Sequence, residues 1–150
     1  MADRIESTRT QRTRQVVLFV DDEEQLRTYM CEALTNAGYR VIQAANGKEA
    51  LAVLLSRHVN LLITDLIMPE QEGIETILYV RKNFPNLTVI AMSGGDVELL
   101  RVARKLGARA VLCKPFSIGE LVATVNYVCW PAASSGSEIP DAEEDSPWPG

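Results

Sequence analysis

The sequence predicts an α/β fold built on a doubly wound, five-stranded parallel sheet, and three observations carry that prediction. Five short apolar runs recur along the 150 residues. Segments with apolar residues every three or four positions lie between them, so strand and helix alternate five times. The first, third and fourth runs are almost continuously apolar, the pattern of central parallel strands covered on both faces by helices.

The first run is Val16 to Val20. Leu26, Met30, Ala33, Leu34 and Ala37 then repeat along one helical face, and Gly38 stops that helix in the left-handed conformation that glycine adopts without strain. The second run is Tyr39 to Ala44, followed by Asn46 and Glu49 in capping-box spacing. Leu61 to Thr64 form the third run. Pro85 ends the helix after it, because the residue before proline avoids the α region. Leu87 to Met92 and Ala110 to Cys113 are the fourth and fifth runs, and Ser117 with Glu120 repeats the capping box before the last helix.

Residues 1–14 read as a flexible polar arm with four arginines against Asp3 and Glu6, and without the apolar core of a secretory signal. Residues 15–130 read as one folded domain. Residues 131–150 hold five acids, no base and many Pro, Ser and Gly, and read as a disordered acidic tail without an output module. Trp148, between two prolines, is the one docking element that tail suggests. No apolar run approaches the roughly 20 residues that span a bilayer, so a cytoplasmic protein without membrane contact is expected.

The net charge of −5 is concentrated in the tail, and no basic face is dense enough to predict direct nucleic-acid binding. Arg101, Arg104, Lys105 and Arg109 read first as a solvated helix surface and second as a basic docking face. Cys31, Cys113 and Cys129 lack ligand spacing and sit in apolar stretches, which predicts small buried thiols rather than metal or redox duty. His58 is the only histidine, so neither a histidine metal cluster nor histidine acid/base catalysis is expected.

Asp21 and Asp22 end the first run, Asp65 the third, Ser93 the fourth and Lys114 the fifth. All carboxyl ends of a parallel sheet lie on one edge, so these residues converge on the crevice where such sheets bind ligands. Three carboxylates brought together repel, and a divalent cation resolves the conflict. Carboxylate and carbonyl oxygens suit Mg²⁺, and neither thiolate nor imidazole is present for zinc. A lysine charge and a serine hydroxyl suit the oxygens of a phosphoryl group, and a carboxylate can be the nucleophile that receives it. Asp65 is the best candidate, with the open Met68-Pro69 and Gly73 segment after it.

With these residues in hand, the chain from about Val16 to Cys129 resembles a response regulator receiver domain of two-component signalling. The segments that carry the resemblance are Val17-Leu18-Phe19-Val20-Asp21-Asp22-Glu23, Ile63-Thr64-Asp65-Leu66-Ile67-Met68-Pro69, Gly73, Ser93-Gly94 and Lys114-Pro115-Phe116. The resemblance implies a stand-alone, flavodoxin-like (βα)5 domain with strand order 2-1-3-4-5. It implies Asp65 as phosphoacceptor, Asp22 as metal ligand supported by Asp21, the Ile67 carbonyl as a further Mg²⁺ ligand, Ser93 and Lys114 as phosphate contacts, and a cis Lys114-Pro115 bond. The implied partners are a histidine kinase or histidine phosphotransfer protein as donor and a downstream effector, with the face of the fourth helix, fifth strand and fifth helix available for docking or a dimer. Chemistry is then confined to self-phosphotransfer and autodephosphorylation.

Val111 occupies the position where the family usually has an aromatic switch residue, and serine replaces the commoner threonine at 93. A receiver-like binding module that works without phosphorylation is the alternative this leaves open. A phosphohydrolase or nucleotide-binding enzyme is a third reading, but Asp21-Asp22-Glu23 has neither a glycine-rich phosphate loop nor a DxD nucleophile pattern.

Overall fold

The computed structural model describes residues 15–68 and 73–130. The arm at 1–14, the tail at 131–150 with Trp148, and Pro69 lie outside the described residues. Strands β1 (Val16–Val20), β2 (Arg40–Ala44), β3 (Leu61–Asp65), β4 (Thr88–Ser93) and β5 (Ala110–Cys113) alternate with helices α1 (Glu24–Asn36), α2 (Gly47–Ser56), α3 (Gly73–Asn83), α4 (Val97–Lys105) and α5 (Ile118–Cys129). All strand pairs are parallel, in the order β2-β1-β3-β4-β5.

Side chains alternate across the pleat and divide the core in two. Leu18, Val20, Leu62, Val89 and Ala91 pack on one face against Ala50 and Leu54 of α2, Ile77 and Val80 of α3, and Leu100 and Ala103 of α4. Val17, Phe19, Leu61, Ile63, Ile90 and Met92 pack on the other against Met30 and Leu34 of α1, and Leu121 and Val125 of α5. The doubly wound arrangement follows, since each central strand must bury both faces.

The helix ends obey their local chemistry. Ser117 and Glu120 form a full capping box. Asn46 caps α2 through the Glu49 amide, but the Glu49 carboxylate takes the amide of Ala45 rather than that of Asn46. Asp96 caps α4 in the same way through Leu99. Gly38 (φ 103) and Gly107 (φ 114) supply the left-handed residues after α1 and α4.

Three expectations need correction. Tyr39 and Leu87 lie outside their strands, whereas Asp65 and Ser93 are the last strand residues. Cys113 is exposed, because β5 is an edge strand and its final residue is left uncovered, while Cys31 is buried. Gly73 does not open a loose loop: it starts α3, and a Cβ there would lie 2.4 Å from the Asp65 carbonyl oxygen. No helix of the described residues is long and apolar enough to cross a membrane.

Candidate functional site

Parallel register brings four strand ends into one crevice. Backbone bonds extend each strand by a residue or so: Asp21 N–H donates to Ala44 O, Leu66 N–H to Met92 O, and Lys114 N–H to Ser93 O at 2.8 Å. Asp21 and Ser93 are fully buried, Asp65 nearly so, and Asp22 faces solvent. The cis Lys114-Pro115 bond is present.

The lysine joins the acids. Lys114 Nζ lies 2.6 Å from Asp21 Oδ2 and 2.8 Å from Asp65 Oδ2. The second oxygens are also held, Asp21 Oδ1 by the Glu23 amide at 2.8 Å and Asp65 Oδ1 by the Ile67 amide at 3.1 Å. Burial is the largest influence on Asp65 and lifts its carboxyl above the ordinary range, against the opposing pull of Lys114 and the Ile67 amide. Burial works against the Lys114 ammonium too, but its hydrogen bonds to Asp21 and Asp65 outweigh that and hold its pKa above the usual lysine value.

Asp21, Asp22 and Asp65 offer carboxylate oxygens within 4.8 Å of one another. These are hard oxygen donors with one member open to solvent, and the residues fit Mg²⁺. Receiver domains bind that ion through such an acidic cluster. Beside them, the Ser93 hydroxyl is fully buried and has no hydrogen-bond partner among the described residues, which is costly unless something else satisfies it.

Of the residues expected to converge, Asp21, Asp65 and Lys114 meet through hydrogen bonds, and Asp22 brings a carboxylate oxygen within 4.8 Å of the other two acids. Ser93 ends the adjoining strand, and Ile67 touches Asp65 through its amide rather than through the carbonyl that the resemblance assigns to the metal. Two further contacts went unnoticed in the sequence. Gly73 N–H donates to Leu66 O and packs on the Asp65 backbone, which no side chain permits. Arg27 donates from Nη1 to Asp21 O at 2.7 Å and from Nε to Gln43 at 3.0 Å. The signal for Arg27 was a cation in the first turn of a helix, against the macrodipole preference and so in need of a partner.

Sheet order, crevice and acidic cluster place the protein among receiver-type α/β domains. Residues 17–126 match the response regulator receiver domain model, and the chain belongs to this family of two-component signalling. It is 32% identical over 106 residues to sporulation initiation phosphotransferase F of Bacillus subtilis, covering 70% of this chain and 86% of that protein. It is 35% identical over 130 residues to a probable transcriptional regulator, ycf27, of Porphyridium aerugineum, covering 84% of this chain but only 53% of that longer protein. The structure of the chemotaxis response regulator CheY4 of Vibrio cholerae superposes with a TM-score of 0.71 at 31% identity, over 76% of this chain and 98% of that one.

Proposed function

We propose that Asp65 accepts a phosphoryl group from a phosphohistidine of a histidine kinase or histidine phosphotransfer protein, and that the modification changes a surface read by a downstream effector. The observation that carries this reading is a buried hydroxyl without a partner among the described residues, Ser93, beside a buried carboxylate already held by an ammonium. A bare carboxylate site has no use for an extra donor, whereas the oxygens of a phosphoryl group take both.

In the step itself an Asp65 oxygen attacks phosphorus. The P–O bond forms as the P–N bond to the donor imidazole breaks, and that imidazole leaves with its electron pair and takes a proton from water. Asp21, Asp22, Asp65 and the Ile67 carbonyl would hold Mg²⁺, which when bound supplies positive charge to the phosphoryl oxygens. Lys114 shifts from the Asp65 carboxylate to a phosphoryl oxygen, still protonated, and the Ser93 hydroxyl donates to another. No base is required, because the nucleophile is already ionised. The chain turns over no metabolite in this reading and catalyses only its own phosphorylation and dephosphorylation.

The test is mass analysis after incubation with acetyl phosphate, with and without Mg²⁺. A single base-labile phosphoryl adduct is expected on the wild type with Mg²⁺ and none on Asp65→Asn. Adduct on the variant, or none on the wild type under any condition, defeats the reading. The alternative without phosphorylation draws on Val111, half-buried against the core under α4 where an aromatic switch would otherwise sit. Equal binding of an effector by wild type and Asp65→Asn would favour it.

A further inference from the structure

The charges of the domain are sorted by edge. Acids lie in the first turns of all five helices, on the side of the Asp65 crevice. At the opposite, amino-terminal edge of the sheet, β2 begins at Arg40 and β5 is preceded by Arg109. Three helices finish there with cations: α2 at Arg57, α3 at Arg81-Lys82 and α4 at Arg104-Lys105. Among the described residues, the turns at this edge hold no Asp or Glu, and Glu32 of α1 is the only acid in the second half of any helix.

Helix dipoles favour some of these cations, but they do not account for Arg40 and Arg109 at strand starts. Nor does any described carboxylate pair with Arg40, Arg57, Lys82, Arg104, Lys105 or Arg109, all of them exposed. Arg81 lies over Gly107, where a Cβ would meet its Nε at 2.8 Å, so α3 and the α4–β5 turn share one continuous basic surface. Such a surface repels itself and attracts a polyanion.

The chain supplies one. Glu138, Asp141, Glu143, Glu144 and Asp145 fall in eight consecutive positions without a base. The described domain ends at Trp130, whose Nε1 donates to the Tyr39 hydroxyl at 3.2 Å, and Tyr39 immediately precedes Arg40. The segment is therefore rooted at the basic edge itself. From β2 to β5 is four strand spacings, about 19 Å. Eight residues reach about 27 Å when extended, both from Trp130 to Glu138 and along the acidic segment. Tethering at such range gives an effective concentration of about a millimolar, which favours this occupant over a separate one.

We propose that the acidic segment 138–145 docks on the basic amino-terminal edge of its own domain, across Arg40, Arg57 and the Arg104–Arg109 turn. The dock lies on the far side of the sheet from Asp65, so it leaves the crevice open and stands independently of phosphorylation. It also covers this basic edge and shields it from other polyanions.

The test compares amide NMR spectra of the full chain with those of the full-length variant E138Q/D141N/E143Q/E144Q/D145N. In about 0.01 M salt, differences are expected at Arg40, Arg57 to Asn60 and Arg104 to Arg109, and they collapse in about 1 M salt, where the Debye length is about 3 Å. The variant R104Q/K105Q/R109Q, carrying the native tail, is expected to lose the differences at the α4–β5 turn. Differences confined to 131–150, or centred on the Asp65 edge, overturn the proposal. A 20-base-pair duplex DNA is the competing probe. Tenfold tighter binding to the neutralised-tail variant than to the wild type supports the dock, and equal binding to both overturns it.

Discussion

Lys114 holds two carboxylates at once, and the balance of charge around it determines what each substitution at the crevice does. Burial lifts the Asp65 carboxyl above 3.8 in the folded chain, so the fold binds that proton more tightly than the unfolded chain does. The contribution of this group to stability is complete below the ordinary carboxylate pKa and is lost as pH rises through the raised value. Ionised Asp65 therefore weighs against the metal-free fold at neutral pH. Asp65→Asn is expected to raise Tm in EDTA at neutral pH by about 3 °C, and the gain shrinks as pH falls through the raised pKa at which the wild-type carboxyl takes up its proton. A melt showing no gain at neutral pH would refute this. The opposite substitution site behaves differently. Lys114 has its pKa raised above 10.5, so its contribution is fully present at neutral pH and fades only above that value. Lys114→Met leaves Asp21 and Asp65 buried without their ammonium and is expected to cost about 3 kcal/mol in urea unfolding. Saturating Mg²⁺ recovers part of that loss by supplying the missing charge, and the same midpoint with and without the ion would contradict it.

At the scale of elements, the tightest fit is between α3 and the end of β3. The backbone of Gly73 lies so close to Asp65 and Leu66 that a Cβ would sit 2.4 Å from one carbonyl oxygen and 2.5 Å from the neighbouring Cα. Both obstacles are backbone, so the helix must retreat. Gly73→Ala is expected to destabilise the fold by about 2 kcal/mol and to slow phosphorylation by acetyl phosphate, because the retreat carries the Asp65 carbonyl with it. A stable variant with a wild-type rate would show that the contact relaxes elsewhere.

The sequence made the elements legible where burial and apolarity coincide. Val16–Val20 and Ala110–Cys113 were readable to the residue, because their apolar runs end where their strands do. Tyr39 was misplaced because its ring is buried for another purpose, with its hydroxyl donating to Asn126 on α5 and accepting from Trp130. Asp65 and Ser93 were placed after their strands because polar residues seldom count as strand, yet both continue the pairing into the crevice. Convergence at the carboxyl edge needed only the parallel order. The bridge from Lys114 to Asp21 and the clamp of Arg27 on the Asp21 carbonyl depend on where long side chains turn, which periodicity does not record.

At the scale of the whole molecule, the sheet is a partition as well as a scaffold. Its acidic and basic edges separate the crevice from the surface opposite, and its two faces bury two separate cores with the backbone layer between them. Independence of this kind has a thermodynamic signature. Substitutions far apart and without shared partners add to within about 0.5 kcal/mol, whereas neighbours in one cavity do not. Val80 on α3 and Val125 on α5 are both fully buried, each in a different core. Val80→Ala and Val125→Ala are each expected to cost about 2 kcal/mol through lost burial and the small cavity left behind. The double variant is expected to lose their sum, with the urea m-value unchanged, because the five-stranded backbone layer between them neither collapses nor transmits a side-chain shift. A shortfall or excess above about 1 kcal/mol would mean that the layers couple. A sheet that flexes in this way would then carry strain from the Asp65 crevice to both helical faces, rather than to one.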